Sequence, residues 1–195
     1  AIHLGDTQVS IASPIDAIGH GIAYLSEDRK SHGLAIRMSV AANLTLTNVS
    51  GLANRFGFID FAREEAVAQQ YIAALGIKTP TSKQIARNHS SGNQQKIVIS
   101  KWLYRESKII FFDEPTRGID VGAKFAIYQL LDKLASEGIG VVLITSELPE
   151  IMGMTDRVAV FHEGRISGIV NTRESSQEEI MHLASGRVAG QAAIH

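Results

Sequence analysis

Two adjacent carboxylates, Asp113 and Glu114, follow the apolar run "IIFF" in the segment "IIFFDEPTRGID", residues 109–120. An acidic residue at the carboxyl end of a buried strand can hold Mg²⁺ beside a nucleotide phosphate. A second carboxylate next to it can orient or deprotonate a water. The same pair also fits a strand that leaves the core through a solvated turn, which Pro115 favours, so the two residues alone leave both readings open. Further upstream, "NHSSGNQQK" places two serines and a glycine directly before a helical pattern. Backbone N–H groups at a helix start, with hydroxyls and no bulky side chain, suit an anion. An ordinary N-cap by Ser90 or Ser91 accounts for the same letters. The 7 histidines lack H-x-x-E-H or H-E-x-x-H spacing and read as surface or incidental residues, not metal ligands.

The elements that must position these groups follow from periodicity. "KIIFFDE" and "IGVVLITSE" are continuous apolar runs, read as strands, and "VGAKFAIYQLLDKLASEG" between them is a helix closing on Gly138. Strand, helix and strand with wholly apolar strands predict a parallel sheet covered on both faces. In such sheets ligands sit at the carboxyl ends of the strands, where Asp113 and Glu114 fall. "GIAYLSEDRK" is a short strand running into a charged loop, and "IHLGDTQVSI" is edge β-structure with a Gly-Asp turn. Residues 35–60 read as loop. "FAREEAVAQQYIAALGI" has helical spacing with Gly76 as its stop, and "SGNQQKIVISKWLYR" is a further helix. "DRVAVFHEG" and "RISGIVN" read as two strands joined by Glu163-Gly164, and "SQEEIMHLAS" as a terminal helix with Ser176 and Glu179 at capping-box spacing.

Composition narrows the classes. The 195 residues suffice for one domain with a real core, alone or with a small subdomain. A formal net charge of −1 gives no basic footprint for nucleic acid. With 0 cysteines, neither disulfides nor thiolate metal sites hold the fold, which suits a reducing compartment. No apolar run approaches a membrane span, and the first residues lack the layout of a signal peptide, so any membrane role is expected to be peripheral.

Taken together and in order, "SSGNQQK", "IIFFDEPTRGID" and "VVLITSE" resemble the ATP-binding subunit of an ABC transporter. "YLSEDRK", "GNQQK" and "DEPTRGIDVGAK" narrow the resemblance to the second nucleotide-binding domain of the two-domain ATPases that drive monosaccharide import in bacteria, the ribose, galactose, arabinose and xylose importers. The resemblance implies an α/β, P-loop-NTPase-like fold with a largely parallel sheet. Residues 1–30 and 105–171 would form the α/β core, residues 31–104 a helical subdomain, and residues 172–195 a C-terminal helical tail. By the same resemblance Asp113 is the Walker B aspartate near Mg²⁺ and Glu114 the residue that polarises the attacking water. Asp120 closes the D-loop facing a partner cassette. Ser90, Ser91, Gly92 and Asn93 form the signature loop that reads the γ-phosphate of ATP held by the opposite cassette. Implied partners are a second cassette, transmembrane permease subunits and, indirectly, a periplasmic sugar-binding protein, at the cytoplasmic face of the inner membrane.

The departures are specific. His89 stands where the family signature has leucine, and Ser91 where it has glycine, which adds a Cβ and restricts φ. Glu27 occupies the Q-loop position, and Ser146 the place of the switch histidine. G-x-x-x-x-G-K-S/T does not occur in the chain; Lys30-Ser31 is the one Lys-Ser pair and no glycine precedes it. That loop supplies the phosphate cradle. The chain is therefore expected to begin after the first core strand, the P-loop and its helix, as an N-terminally truncated cassette without ATPase activity of its own. An alternative reading is a non-catalytic half that completes a partner's ATP site or docks to the permease.

Overall fold

Gly5, at a φ of +59°, turns β1 (Ile2–Leu4) back onto β2 (Thr7–Val9) as an antiparallel pair. The computed structural model describes residues 1–186; residues 187–195 of the expected tail lie outside the described residues. A short helix, α1 (Pro14–Gly19), follows, opened by Ser13, whose hydroxyl accepts from the Asp16 N–H at 3.2 Å. The chain then enters β3 (Ile22–Leu25) and leaves it through a single wide turn, Arg29–Gly33, capped by Asp28.

Residues 35–60 are more ordered than a loop. They contain α2 (Val40–Thr45), which runs into a tight helical segment, Leu46–Leu52. Ser39 caps α2 by accepting from Ala42 N–H at 3.1 Å, a start signal present in the sequence. Asn43 is buried in α2. Its side chain accepts from Ala35 N–H at 2.8 Å and donates to the Ala35 and Ser39 carbonyls at 3.0 and 2.9 Å. Asparagine and threonine are poor helix formers, so tertiary packing rather than local propensity sets this helix. α3 (Phe61–Leu75) starts on Asp60, which accepts from Ala62 and Arg63 N–H, and ends at Gly76 with a φ of +58°. α4 (Ser91–Tyr104) packs with α2 and α3 around Leu44, Ala68, Ile97 and Ile99.

β4 (Ile109–Asp113), α5 (Val121–Ser136) and β5 (Gly140–Ile144) complete a parallel sheet of order β3-β4-β5. Its register pairs Tyr24 with Phe111 and Asp113 with Ile144. Side chains alternate across a sheet, so Ala23, Leu25, Ile110 and Phe112 share one face, and all four are buried. Among the described residues the opposite face is open in part: Tyr24, Val142 and Ile144 are 52%, 38% and 44% exposed. A continuous apolar run marks a strand with two apolar faces but does not reveal what covers each one.

A second compact unit begins at Thr145. It comprises α6 (Leu148–Met154), β6 (Arg157–His162), β7 (Arg165–Asn171) and α7 (Gln177–Ala184). β6 and β7 pair antiparallel through Glu163-Gly164, with φ of +47° and +75°, the positive-φ pair that matches strand twist in a two-residue hairpin. Val158, Val160 and Ile180 form its core, with Leu148, Met152 and Leu183 packed against them. The Ser176 hydroxyl caps α7 by accepting from Glu179 N–H at 3.1 Å.

Candidate functional site

Asp113 is the last residue of β4 and is half-buried. The Tyr24 hydroxyl donates to its Oδ2 at 2.5 Å. That bond to Asp113 holds the Tyr24 phenol above its usual range. Glu114 follows in the left-handed region, at a φ of +44°. Its N–H donates to the Ile144 carbonyl at 2.9 Å, and its own carbonyl accepts from Arg117 N–H at 3.1 Å. The turn is therefore pinned on one side to the end of β5 and on the other to its own next residues. A glutamate at positive φ is strained where glycine would not be, and such strain clusters at functional sites.

The segment after β3 grips the segment after β4. Glu27 forms an ion pair with Arg117 through Arg117 Nη1. Arg29 Nη1 donates to the Arg117 carbonyl at 3.1 Å, and burial pulls its guanidinium below the usual range. "YLSEDRK" and "DEPTRGID" thus form one structural unit joined by Tyr24–Asp113 and the Glu27, Arg29 and Arg117 contacts. Sequence reasoning singled out Glu27 and overlooked Tyr24, Arg29 and Arg117. For Tyr24 the sequence carried no signal, because only the register with Phe111 places it on the face of Asp113.

At the start of α4, Ser90 acts as N-cap. Its hydroxyl accepts from Asn93 N–H at 3.5 Å and from Asn93 Nδ2 at 3.2 Å. Asn93 Oδ1 in turn accepts from Lys78 N–H at 2.9 Å. Ser91 begins the helix itself and is half-buried. The first N–H groups of any helix lack an intrahelical acceptor, so this end keeps its anion-binding capacity with Ser90 serving as cap.

Gly92 is buried, and a Cβ placed on it would lie 2.8 Å from the Ala123 Cβ and 4.0 Å from Ile119 Cγ2. The missing side chain is thus used inside the chain, letting α4 start against the first turn of α5. Asp120 caps that turn, with Oδ1 accepting from Ala123 N–H at 3.0 Å. The structure brings Gly92 to residues 119–123 and joins Tyr24 and Asp113. Ser146 is exposed and belongs to the second unit, after Thr145, whose hydroxyl donates to buried Glu150 at 2.6 Å.

The donor set at the end of β4 fits Mg²⁺. Among the described residues no group of three or more His, Cys, Asp or Glu could cage a metal. Mg²⁺ does not require such a cage: it binds through one or two carboxylates together with substrate phosphates, keeping several waters.

A parallel sheet with an acidic pair at the end of its middle strand, and a helical segment between β3 and β4, is the fold of ATP-binding cassettes. Solved structures agree. A dimeric cassette in a post-hydrolysis state with ADP and Pi matches with a TM-score of 0.68 and 19% identity, over 84% of this chain and 68% of that one. A nucleotide-free cassette matches with a TM-score of 0.67 and 20% identity, over 88% and 68%. A family model described as ABC transporter covers residues 1–117, and the chain belongs to the ABC transporter family.

Curated relatives are closer in sequence. A ribose/galactose/methyl galactoside import ATP-binding protein of Burkholderia ambifaria is 67% identical over 189 residues, 96% of this chain. One of Agrobacterium fabrum is 64% identical over 179 residues, 92% of this chain. A xylose import ATP-binding protein of Thermoanaerobacter pseudethanolicus is 51% identical over 185 residues, 95% of this chain. The chain spans 36% of the length of the first and third and 35% of the second. No helix among the described residues is long and apolar enough to cross a membrane.

Proposed function

We propose that this chain belongs to the ATP-binding and ATP-hydrolysing component of a bacterial sugar importer, which couples ATP binding and hydrolysis to uptake of a monosaccharide. The observation that carries the reading is the Asp113-Glu114 pair at the end of β4, held by Tyr24 and by a turn that places glutamate at positive φ. The 67% identity to a protein named for ribose, galactose and methyl galactoside import supports the sugar class.

In this reading Asp113 holds Mg²⁺, which when bound neutralises charge on the transferring phosphoryl group. Glu114 orients the attacking water through its carboxylate. Ser90, Ser91 and Asn93, at the positive end of α4, meet the γ-phosphate of a nucleotide held by a second cassette. Gly92 serves that loop by letting α4 seat against α5. Glu27 acts through its ion pair with Arg117, and Asp120 through its cap of α5. Transmembrane permease subunits and a periplasmic sugar-binding protein complete the machine, with this component at the cytoplasmic face of the membrane.

The test is Glu114→Gln in the full-length gene product, expressed in cells lacking that gene, with uptake of labelled ribose, galactose and xylose as readout. The expected result is loss of uptake of at least one sugar in the deletion, restored by the wild type and not by the variant at equal protein level. Unchanged uptake of all three in the deletion would refute the sugar class. Full restoration by the variant would refute the role of Glu114.

A further inference from the structure

We propose that Tyr24 is a positioning residue for the metal-binding carboxylate, an inference that rests on the assignment of Asp113 to Mg²⁺. Tyr24 stands one residue before the end of β3, in register with Phe111, and Asp113 lies two residues beyond Phe111 on the same face of the sheet. The phenol spans that offset, and its hydroxyl donates to Asp113 Oδ2 at 2.5 Å. The terminal torsion of an aspartate is broad and nearly two-fold, so a carboxylate held only by its own backbone samples a range of planes. One donor on Oδ2 selects a plane. A carboxylate has about four lone-pair sites, so Oδ1 and the remaining pair on Oδ2 stay available to a cation. Hydrogen bonds to ligating carboxylates play this part in metal sites generally.

The setting fits positioning better than packing. Among the described residues Tyr24 is 52% exposed, and its hydroxyl contact to Asp113 is the polar contact it makes across the sheet. The same strand end also carries Glu27 and Arg29, which fix the turn after Asp113 through Arg117. The end of β3 therefore holds both the acid and the loop that follows it. A phenol that instead competed with the cation for the carboxylate would have the opposite effect on affinity, and the two are separable.

The experiment titrates the full-length gene product at a fixed saturating ADP concentration with Mn²⁺ as the probe, free Mn²⁺ being read by electron paramagnetic resonance against a nucleotide-only control, for wild type, Tyr24→Phe and Asp113→Asn. Urea midpoints of the three are recorded alongside. Tyr24→Phe keeps the ring and removes only the hydroxyl. The expected result is saturable binding to the wild type beyond that of ADP alone, wholly or partly lost in Asp113→Asn, the lost component being weakened roughly tenfold in Tyr24→Phe, with the Tyr24→Phe urea midpoint close to wild type. Loss in Asp113→Asn with unchanged or tighter binding in Tyr24→Phe overturns the role of Tyr24 and leaves Asp113 standing. A tenfold loss accompanied by a matching fall in the urea midpoint overturns it too, because a structural role then suffices. Binding unaffected by Asp113→Asn, or no saturable binding to the wild type, removes Asp113 as the site and the inference with it.

Discussion

Replacing Gly92 with alanine tests whether this residue is defined by packing inside the chain. The new Cβ would sit 2.8 Å from the Ala123 Cβ. Carbon atoms pack at about 3.5–4.0 Å, so α4 and α5 must part by roughly an ångström or bend locally. Overpacking of this kind costs about 1–3 kcal/mol. Alanine returns up to about 1 kcal/mol of helix propensity at a position in α4. The net expectation is a loss of about 1–2 kcal/mol, a fall of roughly 2–8 °C in the melting temperature of a chain this size. Ala123→Gly alone should cost up to about 1 kcal/mol through propensity. In the double variant Gly92→Ala with Ala123→Gly, the methyl has moved from one helix to the other and the clash is gone. The double variant should lose less stability than the sum of the two single losses by about 1–3 kcal/mol, the overpacking cost itself. Urea unfolding followed by circular dichroism measures all four proteins. A Gly92→Ala protein as stable as wild type, or a double variant whose loss equals the sum of the singles, would refute the packing account. The result also bears on function. A bulky residue at 92 disturbs the α4–α5 seat before it meets any partner, so the phosphate-reading role proposed for residues 90–93 is better probed at Ser90 or Ser91.

Two further outcomes follow from local strain and burial. Glu114→Gly should be more stable than Glu114→Ala by about 1 kcal/mol, because both lose the side chain but only glycine accepts a φ of +44° freely; equal urea midpoints would show the turn unstrained. Lys101 is buried in α4 and donates from Nζ to the Gly33 carbonyl at 2.6 Å, and burial lowers its pKa. The charged form is the one penalised, so the unfolded chain binds the proton more tightly, and this group makes stability rise with pH from its depressed folded value up to about 10.4. Lys101→Met should flatten that rise between neutral and alkaline pH, and parallel stability-versus-pH curves for the two proteins would contradict it.

The sequence exposed different layers of this molecule unequally. Strands and helices with continuous or 3.6-residue apolar periodicity, β4, α5, β5, α3 and α4, were readable because their burial is written in residue type. α2 was not, despite its Ser39 cap, since Asn43 and Thr45 are poor helix formers and buried Asn43 finds its partner at Ala35, outside the helix. The candidate site divides along the same line. Asp113 and Glu114 stood out because two carboxylates after four apolar residues are costly to place. Their supports did not: Tyr24 reads as one more aromatic on an apolar strand, and Arg117 as one more charge in a turn.

That difference has a physical basis. A residue that will meet a ligand carries its chemistry in its own side chain, whereas a residue that orients another acquires its role only through register. The parallel pairing of β3 with β4 decides that a hydroxyl on residue 24 arrives at Oδ2 of residue 113. Slipping the pairing by one residue would send Tyr24 to the other face of the sheet and leave the acid without its donor. Gly92 makes the same point from the other direction. Its letter matches a ligand-reading motif, while its missing Cβ answers to Ala123 on the next helix. The two demands are compatible, because a loop that is to read a phosphate must first be held at a fixed place, and the glycine that lets α4 close on α5 is what fixes it.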